Sequence, residues 1–302
     1  MTTDIMLSLP QIFDTSFINQ VFSNCDISEK TRQDYRMRIN RFREFVQNNG
    51  GLDRNTLLQF KRFLANNNQI SVATKNKHFT VAVVFLKQLF RLGVLKFDLG
   101  QGVRGFRVGS SFKTNGFTPD EVKRIVAGLN DSKSIKVKAL VILKWQAGLR
   151  DIELVRLMVE DVNLSDGFIN IHGKGRDGKE SLPVVPQVIQ VLREYLQITG
   201  KRSGHLFTSY SKRNRGQQIT TKTVWLCVRG FLNDLGISRK PHTFRSLFTT
   251  TLCEKMPNLF DVINFTRHKS IQTLQSYVNQ IQKCRAVPVF RAAFDEYVIS
   301  KD

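Results

Sequence analysis

The chain has 302 residues, 41% of them hydrophobic and 10% aromatic, which excludes a disordered polymer and leaves room for two domains with separate cores. Its 46 Lys and Arg against 25 Asp and Glu give a formal charge of +21 and call for a polyanionic partner. Cys25, Cys227, Cys253 and Cys284 show no paired metal-ligand spacing, so reduced thiols and no metal site are expected.

No apolar run approaches the length that spans a bilayer, and Met-Thr-Thr-Asp opens the chain without a signal-like core. A soluble protein with no membrane partner is expected, cytoplasmic or, in a eukaryotic host, nuclear. The charge is shared: residues 1–115 hold 17 basic and 8 acidic side chains, and residues 116–302 hold 29 and 17. Two basic halves suit one long anionic ligand, most simply duplex DNA, although RNA or acidic lipid explains the charge equally well.

In chain order, a lead over residues 1–12 precedes a helix expected over 28–46, which Asp26 or Ser28 can cap and in which Tyr35, Ile39, Phe42 and Val46 form the apolar stripe. Arg32, Arg36 and Arg43 fall on another side and are candidate phosphate contacts. Gly50-Gly51 breaks the chain, a second helix is expected over 52–65, and Ser71 opens a longer one that Gly93 stops. Lys75 and Lys77 lie near its start and join the candidate DNA contacts. Residues 13–99 therefore read as a helical domain with basic faces.

Residues 100–116, glycine-rich and carrying Arg104 and Arg107, read as a basic linker that adds two further DNA-contact candidates. Thr118-Pro119-Asp120-Glu121 has the capping pattern of a fresh helix, and helices are expected over 118–129 and 134–147. A glycine then ends one helix just before another begins, which places Arg150 at the junction. Strands are expected over 167–172 and 180–185, joined by a glycine-rich cationic turn that holds Lys174 and Arg176. Further helices are expected over 186–198, 221–235, 242–255, 258–266 and 270–280, followed by an amphipathic piece over 287–298.

The polar residues that stand out are Arg150 with Glu153, Lys174, His242 with Arg245, His268 and Tyr277. Pro241 suits a helix start, so His242 and Arg245 are expected to project together from its first turn, where free N–H groups also favour an anion. Taken singly, His242, His268, Lys174 and Tyr277 are ordinary capping, turn or packing residues; their order gives them weight. Gly-Leu-Arg150-Asp-Ile-Glu153-Leu, Gly-Lys174-Gly, His242-Thr-Phe-Arg245 and Arg267-His268 running to Tyr277 resemble the active site of the tyrosine recombinases, or phage-type integrases. The similarity is strong after residue 115. It is weaker before it, in Ile27 to Tyr35 and Ala73 to Lys77.

The resemblance implies a mainly α fold: an N-terminal helical core-binding (SAM-like) domain over 13–99, the linker, and an α+β catalytic domain over 117–302 with a small antiparallel sheet and a tail helix at about 285–299. It implies a site-specific DNA recombinase, as of a mobile genetic element, that cuts and rejoins strands through a 3′-phosphotyrosyl intermediate in integration, excision or resolution, in the simple Xer and Cre arrangement without an arm-binding module. Such a protein needs no cofactor and acts as a tetramer on paired double-stranded DNA sites, with the C-terminal segment docking on a neighbour. Arg150 and Arg245 would hold the phosphate oxygens, His268 would add a hydrogen bond, and Tyr277 would attack phosphorus. A phenol with the ordinary pKa near 10 is a weak nucleophile at neutral pH, so His242 is the candidate base and Lys174 the candidate acid for the leaving 5′-oxygen. Glu153 is expected to orient the cations.

A type IB topoisomerase and a catalytically silent DNA-binding protein of the same fold stay open as alternatives. Two departures from the family pattern, Ser246 and the pair Thr266-Arg267, are expected to leave the residues that carry chemistry untouched.

Overall fold

The computed structural model describes residues 7–107, 116–173, 178–268 and 270–292. The chain divides into two compact units, residues 1–110 and 111–302. The first is helical: α1 (Leu9–Ile12), α2 (Thr15–Ser23), α3 (Glu29–Asn48), α4 (Thr56–Asn66) and α5 (Val72–Arg91). Short polar side chains set three of the starts, with Asp14, Ser28 and Ser71 accepting from the backbone N–H of Ser16, Thr31 and Thr74. Helix α4 begins four residues after the expected point because Asp53 draws the chain into a turn, accepting at Oδ1 from the Asn55 N–H at 2.9 Å.

Phenylalanine dominates the core of this unit. Phe22, Phe42, Phe60 and Phe85 are all fully buried, and the Phe42 and Phe60 rings meet edge to face at 4.9 Å between centroids. Ile12 and Phe13, at the junction of α1 and α2, belong to the same cluster. The stretch after α5 is fastened here too: Phe106 packs on Phe79, and its N–H donates to Asn76 Oδ1 at 2.9 Å.

The second unit holds α6 (Pro119–Asn130), α7 (Ile135–Gln146), α8 (Asp151–Arg156), a 3-10 turn (Val159–Asp161), β1 (Val162–Asn163), β2 (Phe168–His172), β3 (Lys179–Pro183), α9 (Pro186–Thr199), α10 (Thr221–Asp234), α11 (Thr243–Lys255), α12 (Leu259–Thr266) and α13 (Ile271–Ala292). The strands form one antiparallel sheet in the order β1-β2-β3, with Ile169 opposite both Val162 and Leu182. Alternation sends Ile169, Ile171 and Leu182 into the core. Helix α7 is buried on every side through its middle, with Ala139 to Leu143 each no more than 1% exposed, and packs against α8, α9, α10 and α11.

Two boundaries differ from expectation. Helix α11 starts at Thr243, with Pro241 in the turn before His242, because the Thr243 N–H closes a turn onto the Lys240 carbonyl at 2.9 Å. Helix α13 runs through to Ala292 where a helix over 270–280 and a separate piece from 287 were expected; nothing between 281 and 286 breaks a helix, and Pro288 lies inside it. The described part of α13 thus overlaps the expected tail helix, whose remainder, from residue 293, lies outside the described residues.

Candidate active site

The turn between α7 and α8 is the floor of the site. Gly148 has φ +60°, a left-handed conformation, and a Cβ there would run into the Phe248 ring, so only glycine fits. The turn delivers Arg150 to the N-cap of α8 in extended backbone. Glu153, one turn on, accepts from the Arg150 N–H at 2.9 Å and from Arg150 Nη1 at 2.7 Å. A carboxylate at this position completes a capping box and complements the positive helix end, while fixing the guanidinium direction. Lys144, itself buried, pairs with Asp151 and closes the turn from the α7 side.

Helix α11 packs against α7 and α13. Phe244 at its start is fully buried against Phe117 and Trp145, and this anchorage buries Arg245 beside it, 3% exposed. Arg245 Nη1 donates to the Gly148 carbonyl and Nη2 to the Thr266 carbonyl, so the side chain joins the α7–α8 turn to the end of α12. His242 is the exposed N-cap residue of α11, and its carbonyl accepts from the Arg245 N–H at 3.1 Å. His268 follows α12 with Nδ1 at 2.9 Å from Thr266 Oγ1, and its ring centroid lies 6.2 Å from that of Tyr277 on α13. Four segments distant in sequence thus bring Arg150, Glu153, Arg245, His268 and Tyr277 together.

Electrostatics single the cluster out. Burial first, then Arg150 and Arg267, push the Arg245 guanidinium down to about 9, against the opposing pull of Glu153 and Tyr277. A guanidinium does not give up its proton in the working range. The shift therefore expresses burial and the presence of two further arginines, which the single Glu153 carboxylate does not offset. Burial, followed by Arg245, Arg150, Arg267 and His242, brings His268 down to about 4. For Glu153, burial alone would raise the carboxyl, but Arg267 and Arg150 outweigh it and hold it below the usual range.

The expectation that Thr266 and Arg267 leave the chemistry untouched is overturned. Thr266 is fully buried, with its hydroxyl on His268 and its carbonyl on Arg245. Arg267 ends α12 in left-handed backbone, φ +56° and ψ +40°. Its Nη2 donates to Glu153 Oε2 at 2.9 Å and to the Gly148 carbonyl at 3.3 Å, while its own carbonyl accepts from Arg150 Nη2 at 3.2 Å. No spacing rule announces such a contact, because it joins residues 114 positions apart in sequence. The one signal was an arginine directly before His268.

Lys174 and Arg176 lie outside the described residues. The strands flanking that turn are in place, and Lys179 on β3 pairs with the buried Asp161. Among the DNA-contact candidates, Lys77, Arg104 and Arg107 are exposed and Arg43 is half-buried. Arg36 reaches Glu29 at 3.1 Å. Lys75 is buried and donates to the Ala65 carbonyl at 2.7 Å, and Arg32 donates through Nε to the Phe22 carbonyl at 3.0 Å while pairing with Glu29. Cys25, Cys227 and Cys253 carry free thiols, and among the described residues no His, Cys, Asp or Glu group could hold a metal ion. None of the described helices is long and apolar enough to cross a membrane.

A mainly helical unit with a three-stranded sheet, closing two arginines, a histidine and a tyrosine around one point, is a tyrosine recombinase type of arrangement. The phage integrase family model matches residues 115–283, and the chain belongs to that family. Tyrosine recombinase XerA of Pyrococcus horikoshii is 29% identical over 183 residues, which cover 60% of this chain and 62% of that protein's length. A tyrosine recombinase of Synechococcus elongatus is 31% identical over 217 residues, 69% of this chain and 67% of that protein. Among solved structures, XerH bound to palindromic difH substrate in a post-cleavage complex gives a TM-score of 0.70 at 17% identity, over 94% of this chain and 85% of that one. A lambda integrase tetramer bound to a Holliday junction gives 0.69 at 16% identity, over 91% and 78%. These structural likenesses establish the fold.

Proposed function

We propose that the chain is a site-specific DNA recombinase that cuts and rejoins strands through a 3′-phosphotyrosyl link on Tyr277. The observation that carries this reading is the convergence of Arg150, Arg245 and His268 beside the Tyr277 ring, with Arg150, Arg245 and Arg267 set against the one buried carboxylate of Glu153. A scissile phosphate is an anion suited to the net positive charge of this cluster. Arg150 and Arg245 take its non-bridging oxygens, whose charge grows as phosphorus becomes five-coordinate, and the donors stand ready before that charge develops. His268, its Nδ1 engaged by the Thr266 hydroxyl, turns Nε2 to the phosphate and in the Nε2–H tautomer donates a third hydrogen bond.

Tyr277 Oη attacks phosphorus and loses its proton to His242, the P–O5′ bond breaks, and the leaving oxygen takes a proton from Lys174. The phosphotyrosine conserves the bond energy. A 5′-hydroxyl of a second strand then attacks it, restores the phosphodiester and releases the phenol, so no metal or nucleotide is consumed.

A tetramer on paired double-stranded sites is part of the same proposal, supported by the shared fold with the lambda integrase tetramer bound to a Holliday junction. An apolar cavity of about 650 Å³, lined by residues that include Trp145, Leu182, Val184, Phe248 and Leu252, is the candidate acceptor for a neighbour's C-terminal segment. Arg43, Lys77, Arg104, Arg107 and Arg176 are proposed phosphate contacts, while Arg32, Arg36 and Lys75 hold ties within the protein. The test is covalent trapping: supercoiled plasmid carrying the DNA that flanks the gene, quenched with denaturant, should retain wild-type protein on a 3′ end and lose it in Tyr277→Phe. Adducts without exchange between two sites would instead mark a topoisomerase, and tight binding without adducts a silent binding protein.

A further inference from the structure

Arg267 is a charged residue of this site to which the proposed strand transfer gives no step. Its side chain is 3% exposed and faces the fully buried Glu153 carboxylate at 2.9 Å. The same Oε2 accepts from the Arg150 backbone N–H, and Oε1 accepts from Arg150 Nη1. Gly148 O is likewise shared, by Arg245 Nη1 and Arg267 Nη2. Arg267 therefore touches both supports that aim the two phosphate-binding arginines, and its carbonyl holds a third contact to Arg150 Nη2.

The arrangement is a poor one for stability alone. An L residue in left-handed backbone is strained. Burying a guanidinium is unfavourable, and Arg267 Nε is buried without a hydrogen-bond partner. Glycine would remove both the strain and the burial. What arginine adds is charge: Arg150, Arg245 and Arg267 stand against Glu153, with Glu180 on β3 also acting on Arg267. Without Arg267, Arg150 would be the one arginine in direct contact with the Glu153 carboxylate among the described residues, and much of the Arg150 charge would be spent inside the protein.

We infer that Arg267 is a positioning residue that takes over the neutralisation of Glu153, so that the Arg150 guanidinium is presented to the phosphate with its charge largely unspent. The inference deepens the strand-transfer reading and rests on it. Substrate binding through the many exposed cations elsewhere is untouched by it, and the rate of the chemical step is what it governs.

The test uses full-length protein and the same flanking-DNA plasmid, comparing wild type, Tyr277→Phe, Arg267→Gly, Arg267→Lys and Arg267→Gln. Adduct formation rate, retention of uncut DNA, thermal melting and inhibition by orthovanadate, a five-coordinate mimic of a phosphoryl group in transfer, are read on each. Expected are an adduct rate lowered about tenfold or more in Arg267→Gly and Arg267→Gln, as when a residue that orients a site ligand is lost, weaker vanadate inhibition in step, and near-unchanged DNA retention. Arg267→Lys should recover part of the rate, because it restores charge without the fork. Arg267→Gly relieves the backbone strain but removes a partner of the buried Glu153 carboxylate, so where it melts lower than wild type the contrast between Lys and Gln decides. Equal recovery by Lys and Gln, or a wild-type rate in Arg267→Gly, overturns the inference while leaving strand transfer standing. A wild type without Tyr277-dependent adducts overturns strand transfer and this inference together.

Discussion

The Thr266 hydroxyl lies 2.9 Å from His268 Nδ1, and the carbonyl of the same fully buried residue accepts from Arg245, so one small side chain and its peptide fix two groups of the site. With the hydroxyl donating, the contact selects the His268 tautomer with its proton on Nε2, the form the strand-transfer proposal requires. Thr266→Val keeps the volume and removes that selection. It should slow adduct formation about tenfold while costing about 1 kcal/mol of stability, and Thr266→Ser should restore most of the rate. Equal rates in the Val and Ser variants would show that the contact is packing alone.

His268 should titrate near 4 in the free protein, below the ordinary histidine value of 6.5. The folded ring binds fewer protons than the unfolded one between those values. Its share of the stability is therefore complete above about pH 6.5 and is lost as pH falls towards 4. Ring proton NMR against pH measures the value directly, and adding inorganic phosphate should raise it, because an anion among the cations favours the charged ring. His268→Gln should flatten the acid limb of thermal stability in the same window.

Gly148 combines left-handed backbone with direct approach to Phe248. Gly148→Ala should cost about 2 kcal/mol or more, from backbone strain and overpacking together. Trp145 and Trp225 are the only tryptophans and both belong to the second unit, so tryptophan fluorescence during urea unfolding reads the loss there. A midpoint unchanged from wild type would contradict this account of the turn.

DNA affinity should fall steeply with salt, with a slope of about −0.9 per phosphate contacted. Alanine at exposed Lys77, Arg104 or Arg107 should reduce the slope by about one each. Alanine at Lys75 or Arg32, whose donors are engaged with main-chain carbonyls, should lower thermal stability and leave the slope nearly unchanged. The contrast is measured by anisotropy titrations on one duplex at several salt concentrations.

Much of the fold was legible because caps and breakers are local. Ser28, Ser71, Thr118 and Gly93 mark helix ends within a residue or two of where they fall. Strand β1 was missed because two residues carry no periodicity. The continuation of α13 was missed because the stretch from 287 reads as a separate amphipathic piece, although no breaker stands between 281 and 286. Arg150, Glu153, Arg245, His268 and Tyr277 could be named because the order and spacing of their motifs resemble the tyrosine recombinases. Arg267 could not: its importance depends on a helix end turning its side chain towards a carboxylate on another helix, a tertiary event without a local signature.

The central claim is the nucleophile. Wild type and Tyr277→Phe are incubated with the flanking-DNA plasmid, quenched with denaturant, and the protein left on DNA is digested and mapped by mass spectrometry. The account predicts a nucleotide joined through a 3′ phosphate to the peptide containing Tyr277, present in wild type and missing in the variant despite equal DNA binding. An adduct on another residue, or one that survives in Tyr277→Phe, would contradict it.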